Sequence, residues 1–226
     1  SGNGVGGVVP YGLPTPRAMA PLRRAAGSFL RPAVRRRLPL GRTRTVIYAF
    51  SVLVALYHAT GASLFGVSLD AHLVVHLCAV MALTFLVFGG PGRGLRAVTP
   101  LDLVLVCLCL ALGVYFLGSL DDLLLRSLVI TPLPGADIVA AGLLLLLLLE
   151  GARRAVGLPF VVVMASFLLL MYLGPRLPGI WAHPGMDVVE TLDLTVWTRL
   201  QGIWGIPLRM SATLISLFLI FGKLMQ

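Results

Sequence analysis

Charge is what this chain has least of. Only 12% of its 226 residues are Asp, Glu, Lys or Arg, about half the ~25% share of a soluble globular domain. Hydrophobic residues make up 58% and the mean hydropathy is +0.96. That balance excludes a water-soluble globular protein and equally an intrinsically disordered one, which needs low hydrophobicity. Three cysteines are too few to staple a secreted domain with disulfides. What remains is an integral membrane protein.

Acid is missing altogether from residues 1–44, which hold nine arginines: Arg17, Arg23, Arg24, Arg31, Arg35, Arg36, Arg37, Arg42 and Arg44. Residues 45–226 carry nine basic and nine acidic groups, so the membrane body is neutral. The net charge of +9 is therefore a property of a Gly-, Pro- and Arg-rich tail, and no nucleic-acid partner is expected. The tail has no apolar run of signal-peptide length. Ala26, Leu30, Val34 and Leu38 recur at spacing four around Arg35, Arg36 and Arg37. Two readings follow: a disordered topology determinant, or a short helix on anionic headgroups limited by Pro32.

A bilayer core of about 30 Å takes roughly 20 helical residues. Six stretches approach that length: Thr45 to about Gly66, Ala71 to Phe88, Leu101 to Gly118, Asp137 to Gly157, Leu158 to Gly174, and Ile206 to the C-terminus. Pro159 and Pro207 fit the first turns of the last two. No ten-residue alternation of apolar and polar residues is visible, which excludes a barrel. The expected fold is all-α: a polytopic transmembrane bundle of about six spans, packed through small residues and interhelical polar contacts.

Basic residues stay on the cytoplasmic side. With the N-terminus inside, the tail, Arg93, Arg96, Arg153, Arg154 and Lys223 fall inside, and only Arg126, Arg176, Arg199 and Arg209 outside. Both termini are thus expected in the cytoplasm, with the chain multi-pass in its membrane. The outer loop from Pro175 to Gly205 places Asp187, Glu190 and Asp193 opposite Val188, Val189, Leu192, Val196 and Leu200, which predicts an interfacial amphipathic helix. Trp181, Trp197 and Trp204 share this loop and are expected at headgroup level.

Few residues here bear chemistry. His58, His72 and His76 lie in the first two spans, with His58 and His76 at similar depth. They permit a two-histidine haem or chlorophyll-type pigment site or, with Tyr57 and Thr60, a small hydrogen-bond cluster. Cys78, Cys107 and Cys109 read as packing residues, and GGPGRG at 89–94 as a turn, since it lacks the context of a phosphate loop. No nucleophile with a partnered base can be assembled, so the chain is not expected to be an enzyme, and no cofactor or metal is assigned. The most specific polar cluster is Glu150 with Arg153 and Arg154, at spacings that put acid and bases on neighbouring helix positions. It reads as a helix-end ion pair or as a contact to an adjoining subunit or amphipathic helix, and Arg35, Arg36 and Arg37 in the tail are further structural or partner-contact candidates.

Several pieces, in order, resemble one family: HLCAVMALTFLVF from His76, Arg126 followed by TPLPGADIV, LLLEGARRAVGLPF, LGPRLPGIWAHPG, and QGIWGIPLRMSATLISLFLIFG. They are similar to the fused permease of tripartite ATP-independent periplasmic (TRAP) transporters of the TAXI type. The resemblance implies three parts: a cytoplasmic tail over 1–44, a four-helix small-subunit-like module over 45–157, and a two-helix start of the large subunit over 158–226. It implies solute uptake with a periplasmic solute-binding protein, usually driven by a sodium gradient, with transport sites in helical hairpins further along the large part. This chain, lacking those hairpins, is expected to be a scaffold and anchor that does not transport alone. The alternative is a truncated relative serving as a structural subunit of a photosynthetic or respiratory complex. Two positions depart from the family pattern: Arg209 where glycine is expected, and Pro184 where arginine is expected after His183.

Overall fold

An apolar segment in lipid has no water to satisfy its peptide groups, so it folds as helix. The computed structural model describes residues 41–61, 66–90, 98–125, 132–198 and 202–226, and these contain helices and no extended strand. Arg35, Arg36, Arg37 and the expected tail helix lie outside the described residues.

Helix α1 runs Arg42–Leu56 and continues as a π-turn, Tyr57–Gly61. Helix α2, Leu69–Val87, starts at Ser68, whose hydroxyl accepts the Ala71 N–H. Helix α3, Pro100–Gly118, begins in a capping box: Thr99 accepts from the Asp102 N–H, while the Asp102 carboxylate accepts from the Thr99 N–H. This arrangement satisfies donors that a helix start leaves open. A short α4, Leu120–Leu125, follows. Helix α5 spans Gly135–Ala155. Gly157, at φ 120°, then lets the chain turn at once into α6, Leu158–Leu173, with Pro159 in its first turn. Beyond α6 come 3₁₀ turns, α7 at Val188–Leu192 with a π-turn Asp193–Trp197, and the last helix, α8, over Ile206–Leu224.

Five helices among the described residues are long and apolar enough to cross a membrane: α2, α3, α5, α6 extended to Arg176, and α8. The first expected span is shorter, 15 α-helical residues and a five-residue π-turn. Helix α2 is the central one. It packs against α1, α3, α5 and α8, and 56% of its span is buried, against 6% for α6 and for α8. Its face carries Leu73, Val74, Leu77, Cys78, Met81 and Phe85, all buried. Gly113 of α3 sits over Cys78 so closely that a Cβ there would stand 3.2 Å from the cysteine's own Cβ. Small residues at a crossing let membrane helices approach in this way. Cys78 and Cys109 are indeed buried packing groups, while Cys107 faces outward.

Pairing across helices fixes two ends of the bundle. The start of α3 meets the end of α5 through Asp102 and Arg154. At the other end, the start of α2 meets the start of α8 through Asp70 and Arg209, and the end of α3 meets the start of α5 through Tyr115 and Asp137. Consecutive helices α2, α3 and α5 therefore run antiparallel. The expected amphipathic helix of the outer loop is only the five-residue α7 and its π-turn. Leu192 and Val196 are buried, but Val188 and Val189 stay exposed. Trp197 and Trp204 are not headgroup anchors. Each is 2% exposed and packs on Phe116 at the end of α3, because the loop folds back over the bundle. Trp181 is exposed.

Candidate functional site

The described residues hold two buried polar clusters, one at each end of the bundle. At the first, the helix-end group read from sequence is present but larger than expected. Glu150 accepts from Arg153 Nε at 2.7 Å and from Arg154 Nε at 2.6 Å. The second arginine also turns inward, where its Nη1 meets Asp102 Oδ1 at 2.6 Å, with side chains 1% and 0% exposed. The other Asp102 oxygen accepts the Thr99 N–H and hydroxyl. The Arg154 guanidinium lies over the Phe85 ring at 5.1 Å, a cation–π contact that is strongest when desolvated. Its Nη2 has no hydrogen-bond partner among the described residues. Arg153 and Glu150, about a third and a quarter exposed, remain at the surface.

The second cluster gathers His58, His72 and His76 between α1, α2 and α8. His58 Nε2 lies 2.7 Å from His76 Nδ1, and His58 Nδ1 lies 2.7 Å from the Val54 carbonyl. His76 Nε2 is 3.1 Å from Ser211 Oγ. His72 bridges the Tyr57 hydroxyl, at 3.2 Å, and the Ala212 carbonyl, at 3.1 Å. All three imidazoles are buried.

Helix irregularity makes these contacts possible. In the π-turn Ser211–Ile215, the Ser216 N–H bonds the Ser211 and Thr213 carbonyls and skips Ala212, leaving that carbonyl to accept from His72. Single π-turns inside α-helices often mark functional sites. A second one, Tyr57–Gly61, carries Tyr57 and His58. Of the two readings open in the sequence, the geometry matches the hydrogen-bond cluster. Two imidazole nitrogens on opposite sides of one metal, each at ~2.0 Å, would stand about 4 Å apart, not the 2.7 Å of His58 and His76. Tyr57 joins the cluster; Thr60 returns its hydroxyl to the Leu56 carbonyl.

Next to the histidines, Arg209 Nη2 pairs with Asp70 Oδ1 at 3.1 Å while its Nε bonds the Trp204 carbonyl at 3.2 Å. The large charged side chain at this position is thus accommodated by an acid from α2, and α8 still packs on α2. The other departure, Pro184, sits in a loop organised by its neighbour. The His183 ring lies against Gly174, so that a Cβ at residue 174 would come within 2.3 Å of it, and His183 Nε2 reaches the Leu170 carbonyl. Gly185, at φ 76°, carries an N–H that bonds His183 Nδ1. The glycines and histidine of LGPRLPGIWAHPG therefore close the end of α6.

Sequence reading found Glu150, Arg153 and Arg154 and the three histidines. It missed Asp102, Ser211 and the Asp70–Arg209 pair. A signal for Asp102 was present: an acid in the first turn of an otherwise uncharged helix is also a counter-ion when that helix end is buried. No protein family, no curated protein and no solved structure matches this chain.

Proposed function

We propose that this chain is an integral membrane component of a TRAP transporter of the TAXI type, acting as scaffold and anchor for a transport part on another polypeptide. The proposal rests on the resemblance of five ordered sequence pieces, and one structural observation favours it. The two helices of the large-subunit-like part, α6 and α8, each have only 6% of their span buried. They present Phe160, Val163, Phe167 and Leu169, and Leu217, Phe218 and Phe221, as exposed apolar surface. Helices that begin a larger permease part would offer such faces to further helices.

Transport by this chain alone is not proposed. Transporter sites of this kind are built from discontinuous helices at the midplane, whereas α2, α3, α5 and α6 are uninterrupted and α8 contains a π-turn without unwinding. In the same reading α1 with its π-turn is a sixth, short span. The Arg-rich tail and Lys223 then lie in the cytoplasm of a bacterium, and the histidine end faces the periplasm. A periplasmic solute-binding protein is the expected soluble partner.

A second reading has one observation in its favour. Arg209 replaces the glycine of the family pattern and forms a fixed ion pair between α2 and α8, which suits a structural subunit of a larger membrane complex better than a moving part. Purification from native membranes in mild detergent, with mass spectrometry of co-purifying chains, tests both. A large permease polypeptide or a solute-binding protein supports the transporter reading. A stoichiometric photosynthetic or respiratory complex overturns it in favour of the second.

A further inference from the structure

We propose that the buried His58–His76–Ser211 chain is a binding site for one proton, shared between His58 Nε2 and His76 Nδ1. This goes beyond the transporter reading and does not depend on it.

Hydrogen-bond direction fixes where the protons sit in the neutral cluster, because a carbonyl only accepts. The Val54 carbonyl faces His58 Nδ1, so that nitrogen carries the proton and Nε2 accepts. His76 Nδ1 must then donate to His58 Nε2, and His76 Nε2 accepts from the Ser211 hydroxyl. By the same logic the Ala212 carbonyl takes the Nε2 proton of His72, whose Nδ1 accepts from the Tyr57 hydroxyl. Every nitrogen of the three rings has a role, and one tautomer of each fits.

The chain also accepts one more proton without losing a bond. A proton from water binds His76 Nε2, and the half-buried Ser211 hydroxyl turns from donor to acceptor. The imidazolium now donates from both nitrogens, to Ser211 and to His58. Its Nδ1 proton can cross the 2.7 Å gap to His58 Nε2, leaving His58 cationic, its Nδ1 still bonded to Val54 and His76 still bonded to Ser211. Atoms and charge balance: one proton is taken from solvent and the cluster gains one positive charge.

A second proton is excluded by geometry, since two N–H groups would then face each other across 2.7 Å. The His72 ring centre lies 5.1 Å from that of His58, so a positive charge on one ring opposes a charge on the other. The other ionisable groups on the surrounding elements are Arg42, Arg44, Tyr48 and Tyr57 on α1 and its π-turn, Asp70, His72 and Cys78 on α2, and Arg209 and Lys223 on α8. Asp70 and Arg209 pair with each other, so they add no net charge beside the chain. His76 lies seven residues into α2, about 10 Å from the helix start at 1.5 Å per residue, where an ionisable group in a membrane helix marks a functional site by default.

The test uses the full chain, labelled with ¹⁵N-histidine, in lipid bilayers, with nitrogen spectra recorded by solid-state NMR. His183, outside the cluster, is the internal reference and is identified by its loss in H183Q. At high pH the expected spectrum shows His58 and His76 protonated at Nδ1 and His72 at Nε2. Acidification from about pH 8 to about pH 4, which extends below the range where a free histidine charges, should add one imidazolium in total to the cluster, with the His58 and His76 signals moving together at one midpoint. Independent titration of two or three cluster histidines overturns the proposal, as does any other tautomer at high pH or the absence of uptake while the protein stays folded.

Discussion

Replacing Asp102 by asparagine keeps the side chain's size and removes its charge, leaving Arg154 with Glu150 alone. Asp102 and Arg154 are 0% and 1% exposed and 2.6 Å apart. Removing one partner of a buried ion pair typically costs about 3–5 kcal/mol, because the other charge is left uncompensated. Glu150 still holds Arg154 Nε, which puts D102N near the lower end, about 3 kcal/mol. Ordinary polar contacts between membrane helices average about 0.6 kcal/mol, so the two outcomes are well separated. Unfolding in mixed micelles with increasing SDS, followed by the fluorescence of the buried Trp197 and Trp204, measures the difference. D102N with R154M should recover much of the loss, giving a coupling of at least ~2 kcal/mol, within the range found for contacting residues. T99A, which removes the helix cap and the hydroxyl donated to Asp102 but leaves the charge pair intact, should cost about 1 kcal/mol. A D102N protein within ~0.5 kcal/mol of wild type, or a coupling near zero, would refute the reasoning that the end of α5 is held to α3 by this charge pair.

The same unfolding assay reads the next three sets of substitutions. G174A forces the His183 ring away from a Cβ that would sit within 2.3 Å of it; overpacking of this kind costs about 1–3 kcal/mol, and H183A added to it should restore most of the loss. Among the tryptophans, W197A should cost about 3–5 kcal/mol, as for other buried large side chains, while W181A at an exposed site should stay within ~0.5 kcal/mol. R209L deprives the buried Asp70 of its cation and should cost about 2 kcal/mol. R209K should cost less, since it keeps the charge and loses only the fork that also reaches the Trp204 carbonyl. A single cysteine at Lys223, in a chain without the native three, should react with an impermeant maleimide only after the membrane of intact cells is opened.

Hydropathy made the helices legible because the cost of an unsatisfied peptide group in lipid leaves an apolar run no other fold. The stretch expected over Asp137 to Gly157 is helical over Gly135–Ala155, and that expected from Leu101 begins at Pro100. The π-turns were not legible: in the last of them the Ala212 carbonyl leaves the helix ladder and accepts from His72 on another helix, a pairing that no local pattern records. The buried pairings were equally hidden. Asp102 and Arg154 are 52 residues apart and Asp70 and Arg209 are 139 apart, so they meet only once the helices have taken their antiparallel places. The local pair of Glu150 and Arg153 needed no such information, being set by one turn of helix. Trp197 and Trp204 misled for a physical reason. An aromatic ring between two spans reads as interfacial, whereas here the loop returns over Phe116 and buries both rings.

The scaffold reading is tested most directly by asking what touches α6 and α8 in the native membrane. A photoreactive phenylalanine analogue placed at Phe167 or Phe218, both strongly exposed, would be activated in intact membranes and its adducts identified by mass spectrometry. The account predicts cross-links from both positions to a large, multi-span permease polypeptide. Adducts to lipid alone at both positions, or to the subunits of a photosynthetic or respiratory complex, would contradict it.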